Sequence, residues 1–374
     1  MENNSRPDPA QELPADAGPT PLRSLTVPEL TGLLTTLGQP PFRARQIARW
    51  IYLKRVDTFA MMHNIPKSTR SLLADRCTLR KLQVVERRVA TANDAVKFGL
   101  ALVDSGSVIE SVLLYDRTRR TLCVSSQLGC ALGCTFCATA AMGMVRNLGH
   151  EEIIGQVIAA NDYLADNADK PLTHIVFMGM GEALANFEAF CSACSVITDP
   201  DGFNLAPRRI TVSTAGVVPA IERLIHEGPA VNLAVSLNEY NDQRRQAIMP
   251  VNRAWPLRTL LAVLERWCRC GKGSLTFEYV VREGENDTPA AVAALTRLLH
   301  GLPCKVNCIP LNATSRGSGQ TPSAAAVLAF AGRLNEKGIT TTVRRSRGAD
   351  ICGACGQLYT ASQQEYSGTP GVSP

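Results

Sequence analysis

The sequence lacks the features that take a protein into or across a membrane. No apolar run approaches the roughly 20 residues that a transmembrane helix needs. Near its start the chain also lacks the basic segment followed by an apolar one that marks a secretory signal. We therefore expect a cytoplasmic protein with no membrane partner.

The sequence also lacks a strong charge imbalance. It has 39 Lys and Arg residues and 33 Asp and Glu residues, for a net charge of +6. So mild an excess favours a nucleic-acid partner only slightly. The basic residues are clustered, however, and clusters can neutralise phosphates, although solvated helix faces give the same pattern. The clusters are Arg43/Arg45/Arg49, Lys54/Arg55, Arg80/Lys81, Arg87/Arg88, Arg117/Arg119/Arg120 and Arg344/Arg345/Arg347.

Cysteine, in contrast, is plentiful, with 13 in 374 residues. In a chain of this kind the number favours a reducing compartment and metal or redox chemistry over a disulfide scaffold. The length and the 45% hydrophobic content are typical of one large domain with an accessory piece.

Three cysteines stand close together as C-x3-C-x2-C, at Cys130, Cys134 and Cys137. Three thiolates can hold three irons of a [4Fe–4S] cluster and leave the fourth iron open. Zinc is the alternative, but structural zinc sites favour four protein ligands. The spacing, with Phe136 before the last cysteine, is typical of radical S-adenosylmethionine (radical SAM) enzymes. In those enzymes SAM occupies the open iron and is cleaved to a 5′-deoxyadenosyl radical.

The chain divides into consecutive segments that differ in their pattern of apolar and polar residues. Residues 1–22 carry few large apolar side chains and are predicted to be a disordered tail. Residues 23–80 hold three helical patterns, which predict a small accessory domain that contacts RNA or merely covers the catalytic domain. Residues 81–120 alternate apolar and polar side chains, as in a short antiparallel β meander or linker. Residues 121–358 form the predicted catalytic domain, and residues 359–374 a C-terminal tail.

Strand-like and helix-like segments alternate through the catalytic domain. Such βα alternation predicts a parallel sheet, and periodicity alone does not choose between a barrel and a doubly wound sheet. The likeness to radical SAM enzymes favours an α/β fold with a partial (β/α) barrel. Strands are predicted at 121–126, 174–178, 209–213, 231–237, 275–281, 304–310 and 339–345, and helices at 151–167, 187–198, 217–227, 257–270, 290–300 and 323–337.

Polar residues follow several of these strands, at the sheet edge where α/β folds build active sites. We expect Gly181 to let the backbone approach SAM and Glu182 to face its ammonium group. Taken singly, each such residue is more often part of a turn. The other residues predicted to hold SAM are Ser213, Ser236, Leu237, Asn238 and Asn312.

Other cysteines allow several interpretations. Cys268 and Cys270 are predicted to be small buried side chains. Cys352 and Cys355 lie in a glycine-rich loop, where a C-x2-C is a redox pair, half of a metal site, or one functional thiol with a bystander.

Longer motifs carry a more specific resemblance. TLCVSSQLGCALGCTFC, RNL, MGMGE, RRITVSTAGVVPAI, VSLN and RGADICGACGQL together resemble the RlmN/Cfr family of radical SAM RNA methyltransferases, from about Val27 to Leu358. The resemblance implies that Cys355 is methylated by one SAM and that a second SAM supplies the radical that activates this methyl group. The carbon radical adds to adenine, Glu110 takes the ring proton, and Cys123 releases the product by forming a disulfide with Cys355.

The same resemblance implies the partners. They are 23S rRNA near the peptidyl-transferase centre and tRNA at the adenine beside the anticodon. Separately from the resemblance, we expect an external, flavodoxin-like electron donor and a monomeric enzyme. We favour methylation at C2 over C8, the alternative within the family. Two alternatives of another class are a radical SAM enzyme with an auxiliary cluster and a non-catalytic RNA-binding protein that holds zinc.

Overall fold

The structure, a computed structural model, describes residues 18–312 and 320–359. Its first element is a short strand, β1 (Thr20–Pro21), which pairs in parallel with β2 (Cys77–Thr78). Leu22 follows and is fully buried. The prediction of a disordered tail is therefore wrong for residues 20–22, and most of that tail lies outside the described residues.

Three helices between β1 and β2 confirm the helical patterns of the N-terminal segment. The first begins with a capping box, in which the Thr26 hydroxyl accepts from the Glu29 N–H and the Glu29 carboxylate accepts from the Thr26 N–H at 2.7 Å. The second continues into a π-helical turn at Arg49–Leu53. The helices are α1 (Val27–Thr36), α2 (Phe42–Ala48) and α3 (Lys67–Arg76).

An antiparallel meander follows and leads directly into the main sheet. Its strands are β3 (Gln83–Val89), β4 (Ala95–Ala101), β5 (Val108–Asp116) and β6 (Arg119–Cys123). Strand β6 pairs antiparallel with β5 on one side and parallel with a later strand, at His174–Phe177, on the other. The meander is thus one edge of a ten-stranded sheet, not a separate layer.

A small hairpin that we did not predict holds the cysteine motif. Strand β7 (Gln127–Gly129) pairs with β8 (Met144–Asn147), and residues 130–143 form the loop between them. Gly129 has φ +80°, and a Cβ there would lie 1.9 Å from the carbonyl oxygen of Gly143. Only glycine permits this close approach, which closes the loop.

Parallel strands make up the rest of the sheet. Beyond β6 they lie side by side in chain order, so the sheet winds in one direction as a partial barrel, whereas a doubly wound sheet reverses its order. This confirms the predicted fold class. The strands are β9 (His174–Phe177), β10 (Ile210–Thr214), β11 (Asn232–Ser236), β12 (Leu275–Val281), β13 (Cys304–Pro310) and β14 (Thr341–Val343).

The helices between these strands agree with the predicted ones, with one addition. The additional helix is seven residues long and mostly polar, so its sequence carries no apolar period to reveal it. In the described part of the chain, no helix combines the length and apolar character needed to cross a membrane. The helices are α4 (His150–Asp166), α5 (Phe187–Thr198), α6 (Val218–His226), the additional α7 (Asp242–Ile248), α8 (Leu257–Cys270), α9 (Pro289–Leu298) and α10 (Ala324–Glu336).

Candidate active site

One cavity at the carboxyl ends of the parallel strands brings the predicted residues together. Three predicted residues do not line it: Cys123 and Glu110, which are described below, and Leu237. The Leu237 side chain is fully buried in the core, and only its backbone makes polar contacts. Thr214 and Ala215, which the sequence analysis missed, also line the cavity. The predicted residues that line it are Cys130, Cys134, Cys137, Gly181, Glu182, Ser213, Ser236, Asn238, Asn312 and Cys355.

The three motif cysteines form one wall of this cavity and are partly exposed to it. Burial raises the pKa of Cys130 to about 11 and that of Cys134 to about 12, so a metal must displace protons to bind. Among residues 18–312 and 320–359, no three His, Cys, Asp or Glu side chains form a compact site for a single ion. Three sulfur donors facing a shared cavity fit a cluster with one open position.

Arg245, on α7, holds the strand ends together at one side of the cavity. Its side chain is fully buried and donates hydrogen bonds to the carbonyl oxygens of Ala215, Ser236 and Leu237 at 2.6, 2.9 and 3.1 Å. A fourth bond reaches Asn252 Oδ1 at 2.8 Å. These bonds fix the ends of β10 and β11, which form one side of the cavity. No sequence pattern pointed to Arg245, since an arginine in a short polar helix is usually solvated.

Glu182 offers the cavity an unpaired carboxylate oxygen. Its Oε2 accepts from the Ala215 N–H at 2.8 Å, whereas its buried Oε1 has no hydrogen-bond partner. Burial raises the pKa of Glu182 to about 7. Gly181 has φ +95°, and a Cβ there would lie 2.4 Å from the Gln127 side chain. A buried carboxylate oxygen of this kind fits a cationic ligand group such as the ammonium of SAM.

Two of the predicted SAM ligands already use their side chains within the protein. Asn238 accepts from the Val280 N–H at 3.0 Å and has φ +61°. Asn312 donates to the Cys355 carbonyl at 3.1 Å and accepts from the Ser346 hydroxyl at 2.6 Å. Asn312 therefore anchors the C-terminal cysteine loop, and its contact with SAM stays a prediction.

A second, smaller cavity adjoins the first and contains the two thiols that the family resemblance assigns to catalysis. Cys123 and Cys355 both line it, as free thiols. Burial, followed by the nearby Cys355 sulfur, raises the pKa of Cys123 to about 12. Met178 and Arg344 line both cavities, so the thiol pair lies directly beside the cluster and SAM cavity.

The loop that carries Cys355 is attached to the cluster loop. The Ala138 N–H donates to the Gly356 carbonyl at 2.8 Å, and the Thr139 hydroxyl donates to the Leu358 carbonyl at 2.7 Å. These bonds join segments from opposite ends of the catalytic domain. They hold the Cys355 thiol at the cavity shared with the cluster motif.

Glu110 lies on β5 beneath the same loop and is 3% exposed, unlike the solvated strand-edge glutamate that is the common case. Its Oε1 pairs with Lys97 Nζ at 2.7 Å, and its Oε2 accepts from the Tyr359 N–H at 2.9 Å. The sequence analysis missed Lys97, although a lysine inside the strand AVKFGLA was a usable signal. Strand register places Lys97 two residues from Gly99, which is opposite Glu110.

The other cysteines do not converge on one place. Cys352 is exposed, with φ +52°, and lines neither cavity. Cys270 is exposed and Cys268 partly exposed, so the prediction that both are buried side chains is wrong. They lie in the last turn of α8, which ends at Cys270.

Comparisons with known proteins agree on one family. Residues 20–79 match the family described as "Ribosomal RNA large subunit methyltransferase N-terminal domain", and residues 124–295 match the "Radical SAM superfamily". The chain is 43% identical to "Dual-specificity RNA methyltransferase RlmN" of Anaeromyxobacter dehalogenans, over 90% of this chain and 91% of the relative. It is 41% identical to the protein of the same name in Marinobacter nauticus, over 92% and 96%.

A solved structure shows the same architecture. The crystal structure of a radical SAM methyltransferase from Sphaerobacter thermophilus has 43% sequence identity and a TM-score of 0.85, and the match covers 91% of this chain and 99% of that one.

Proposed function

Because the chain belongs to the RlmN family of radical SAM RNA methyltransferases, we propose that it methylates carbon 2 of adenine in 23S rRNA, at the peptidyl-transferase centre. We extend the proposal to tRNA, at the adenine beside the anticodon. Membership in the family brings SAM and a [4Fe–4S] cluster to the reaction.

One observation carries the proposal. Cys123 and Cys355 line a common cavity that adjoins the cavity lined by the cluster motif, and the Glu110 carboxylate accepts from the Tyr359 N–H just beyond the loop that bears Cys355. Two thiols and a buried carboxylate beside a radical source are the set that methylation through a cysteine-bound carbon requires. An ordinary polar transfer would not need the second thiol.

When bound, the cluster and SAM supply a radical of a reactivity that side chains lack. Cys355 first attacks the methyl group of another SAM as a thiolate, so that its Sγ–CH3 bond forms while the sulfonium S–CH3 bond breaks. One turnover therefore consumes two SAM molecules. The methyl carbon of Cys355, once activated, joins the adenine.

Two residues then complete the methyl transfer, and a thiol reductant from outside the chain afterwards reduces the disulfide that it leaves. Glu110 accepts the proton lost from the ring carbon, while the unpaired electron left on the ring would return to the cluster. The buried Lys97 beside Glu110, at 2.7 Å, balances its charge beforehand. Cys123 attacks Sγ of Cys355, so that a disulfide forms as the bond from sulfur to the methylene carbon breaks. The electron pair stays on that carbon, which takes a proton and becomes the product methyl group.

The proposed partners follow from this chemistry. The adenine must leave its base stack to enter the cavity, which favours RNA loops over regular helices. Arg45 and Arg49 on the N-terminal unit expose 77% and 64% of their side chains and share one carboxylate, that of Asp201, at 3.7 and 2.6 Å. Two cations to one anion leave a net positive charge there for phosphates. We propose a flavodoxin-like electron donor, a monomeric enzyme and a cytoplasmic location, where thiols stay reduced.

Mass spectrometry of nucleosides tests the proposal. Unmodified 23S rRNA and tRNA are incubated with reconstituted enzyme, reductant and SAM carrying a CD3 group. We expect 2-methyladenosine with two deuterium atoms in the new methyl group, because one is lost when Cys355 is activated. The appearance of 8-methyladenosine would assign the chain to the C8 alternative, and methyladenosine with three deuterium atoms would refute the route through Cys355.

Three variants assign the roles. Cys355→Ala should lose methylation and keep the cluster absorbance, while Cys123→Ala should accumulate protein crosslinked to RNA. Cys352→Ala is the matched control, because this exposed thiol lines neither cavity, and it should retain turnover. Normal turnover by either of the first two variants would contradict the assigned roles.

A further inference from the structure

Arg344 follows β14 and belongs to a cluster of arginines that the sequence offers for phosphates, yet it lies beside the thiols. Its backbone N–H continues the sheet by donating to the Cys308 carbonyl at 2.9 Å. Its side chain contacts Met178 Sδ at 3.6 Å and lines both cavities together with Cys355. The next residue, Arg345, is exposed and lines only the second cavity. The guanidinium of Arg344 is therefore placed for the active site and not for solvent.

Electrostatics connects this guanidinium to three acidic groups. Its strongest electrostatic partner is Cys355, followed by Glu278 and Cys123, and together they raise the pKa of Arg344. On Cys123, where burial dominates, Arg344 acts in the opposite direction and favours the thiolate. Glu278 is buried, and it competes with the thiols for the same positive charge.

A row of polar side chains across three strands holds Glu278 in place. Glu278, Asn307 and Thr342 occupy matching positions on β12, β13 and β14. Asn307 donates to Glu278 Oε2 at 2.9 Å, and the Thr342 hydroxyl donates to Asn307 Oδ1 at 3.0 Å. This row holds the carboxylate of Glu278, the acidic neighbour of Arg344, within the sheet.

We propose that Arg344 is the common counter-ion of the Cys355 and Cys123 thiolates, and that Glu278 limits how strongly it stabilises them. The inference rests on the proposed function, since both thiols must act as nucleophiles in one turnover. Arg344 is a positioning residue, because it acts through the two sulfur atoms.

The charge balance of the reaction explains why one guanidinium serves two thiols. When the Cys355 thiolate takes a methyl group from the sulfonium of SAM, its negative charge disappears and a neutral thioether remains. Arg344 then has Cys123 as its only thiolate partner of the pair, which is the sulfur that must attack next. The Lys97–Glu110 pair, on the other side of the C-terminal loop, already balances itself at 2.7 Å.

Thiol alkylation tests the inference without relying on catalysis. Reconstituted full-length protein without SAM is treated with iodoacetamide at several pH values, and mass spectrometry follows peptides with an unmethylated Cys355. Cys352 is three residues away in the same loop, is exposed and lines neither cavity. Its alkylation rate is the internal reference for each variant.

We expect Arg344→Met to slow the alkylation of Cys355 relative to Cys352 by about tenfold near neutral pH, because the thiolate loses its nearby cation. Arg344→Lys should retain most of the rate. Glu278→Gln should increase it, because the charge of Arg344 is then no longer shared. Arg258→Met, which removes an exposed arginine that lines neither cavity, should leave the ratio unchanged.

An unchanged ratio in Arg344→Met would overturn the inference, as would slower alkylation in Glu278→Gln, which would indicate a purely structural role. If Arg344→Met failed to fold, the alkylation rate of Cys352 and the cluster absorbance would both change. The result for Glu278→Gln would then decide the inference. If Cys355→Ala still methylated RNA while Arg344→Met slowed alkylation, the proposed function would fail and the electrostatic assignment would stand.

Discussion

The buried pair of Lys97 and Glu110 allows a prediction that separates stability from catalysis. The two side chains are 5% and 3% exposed, and their charged atoms are 2.7 Å apart. Lys97→Met keeps the length of the side chain but removes its charge. Glu110 is then left as a buried carboxylate with its Tyr359 N–H bond and without its cation.

Removing one partner of a buried ion pair costs about 3 to 5 kcal/mol of unfolding free energy, because the other charge is left uncompensated. The double variant Lys97→Met/Glu110→Gln removes both charges, and the Gln amide oxygen can still accept from Tyr359. We therefore expect the double variant to recover most of the lost stability. It should nevertheless stay inactive, since glutamine cannot accept the ring proton.

Urea unfolding of the cluster-free protein measures the unfolding free energy of the wild type, of Lys97→Met, of Glu110→Gln and of the double variant. The four values can be compared only if their m-values are equal. The control is Lys305→Met, in an exposed position of β13, which should change the unfolding free energy by no more than about 0.5 kcal/mol. RNA methylation is measured on the reconstituted proteins.

Two results would refute this reasoning. A Lys97→Met variant as stable as wild type would show that the pair is not desolvated as the structure describes. Methylation by the double variant would show that Glu110 is not the base.

The remaining predictions concern three other buried groups. Arg245→Met should cost about 3 kcal/mol or more in urea unfolding, because it leaves buried carbonyl oxygens without donors, whereas the partly exposed Arg244→Met should cost less. Because burial raises the pKa of Glu182 from 4.5 to about 7, its ionisation destabilises the folded state progressively between those pH values. Glu182→Gln should therefore stabilise the cluster-free protein by about 3 kcal/mol above pH 7 and hardly at all below pH 4.5, and a flat difference would contradict this. At pH 8 iodoacetamide should label Cys352 and spare Cys123, whose pKa burial raises to about 12; rapid labelling of Cys123 would show that it is accessible.

The comparison of these residues with the sequence shows what local pattern can and cannot reveal. The C-x3-C-x2-C spacing, the βα alternation and the CGACGQL loop are contiguous signals, and they were enough to predict the family, the partial barrel and the cluster motif. The short polar helix α7 and the β7–β8 hairpin were not predicted, because both are too short to show a repeating pattern of apolar residues.

By itself, then, the sequence determined which chemistry is available, because the thiols, the carboxylates and their spacing along the chain can be identified from it directly. Only the tertiary structure decided which groups meet. Glu110 contacts Tyr359 from 249 residues away, and Lys97 reaches Glu110 through strand register. Arg344 looked like one more phosphate-binding cation and instead lies beside two thiols. The physical reason is that periodicity is a property of neighbours along the chain, whereas burial and charge pairing depend on which strands lie side by side.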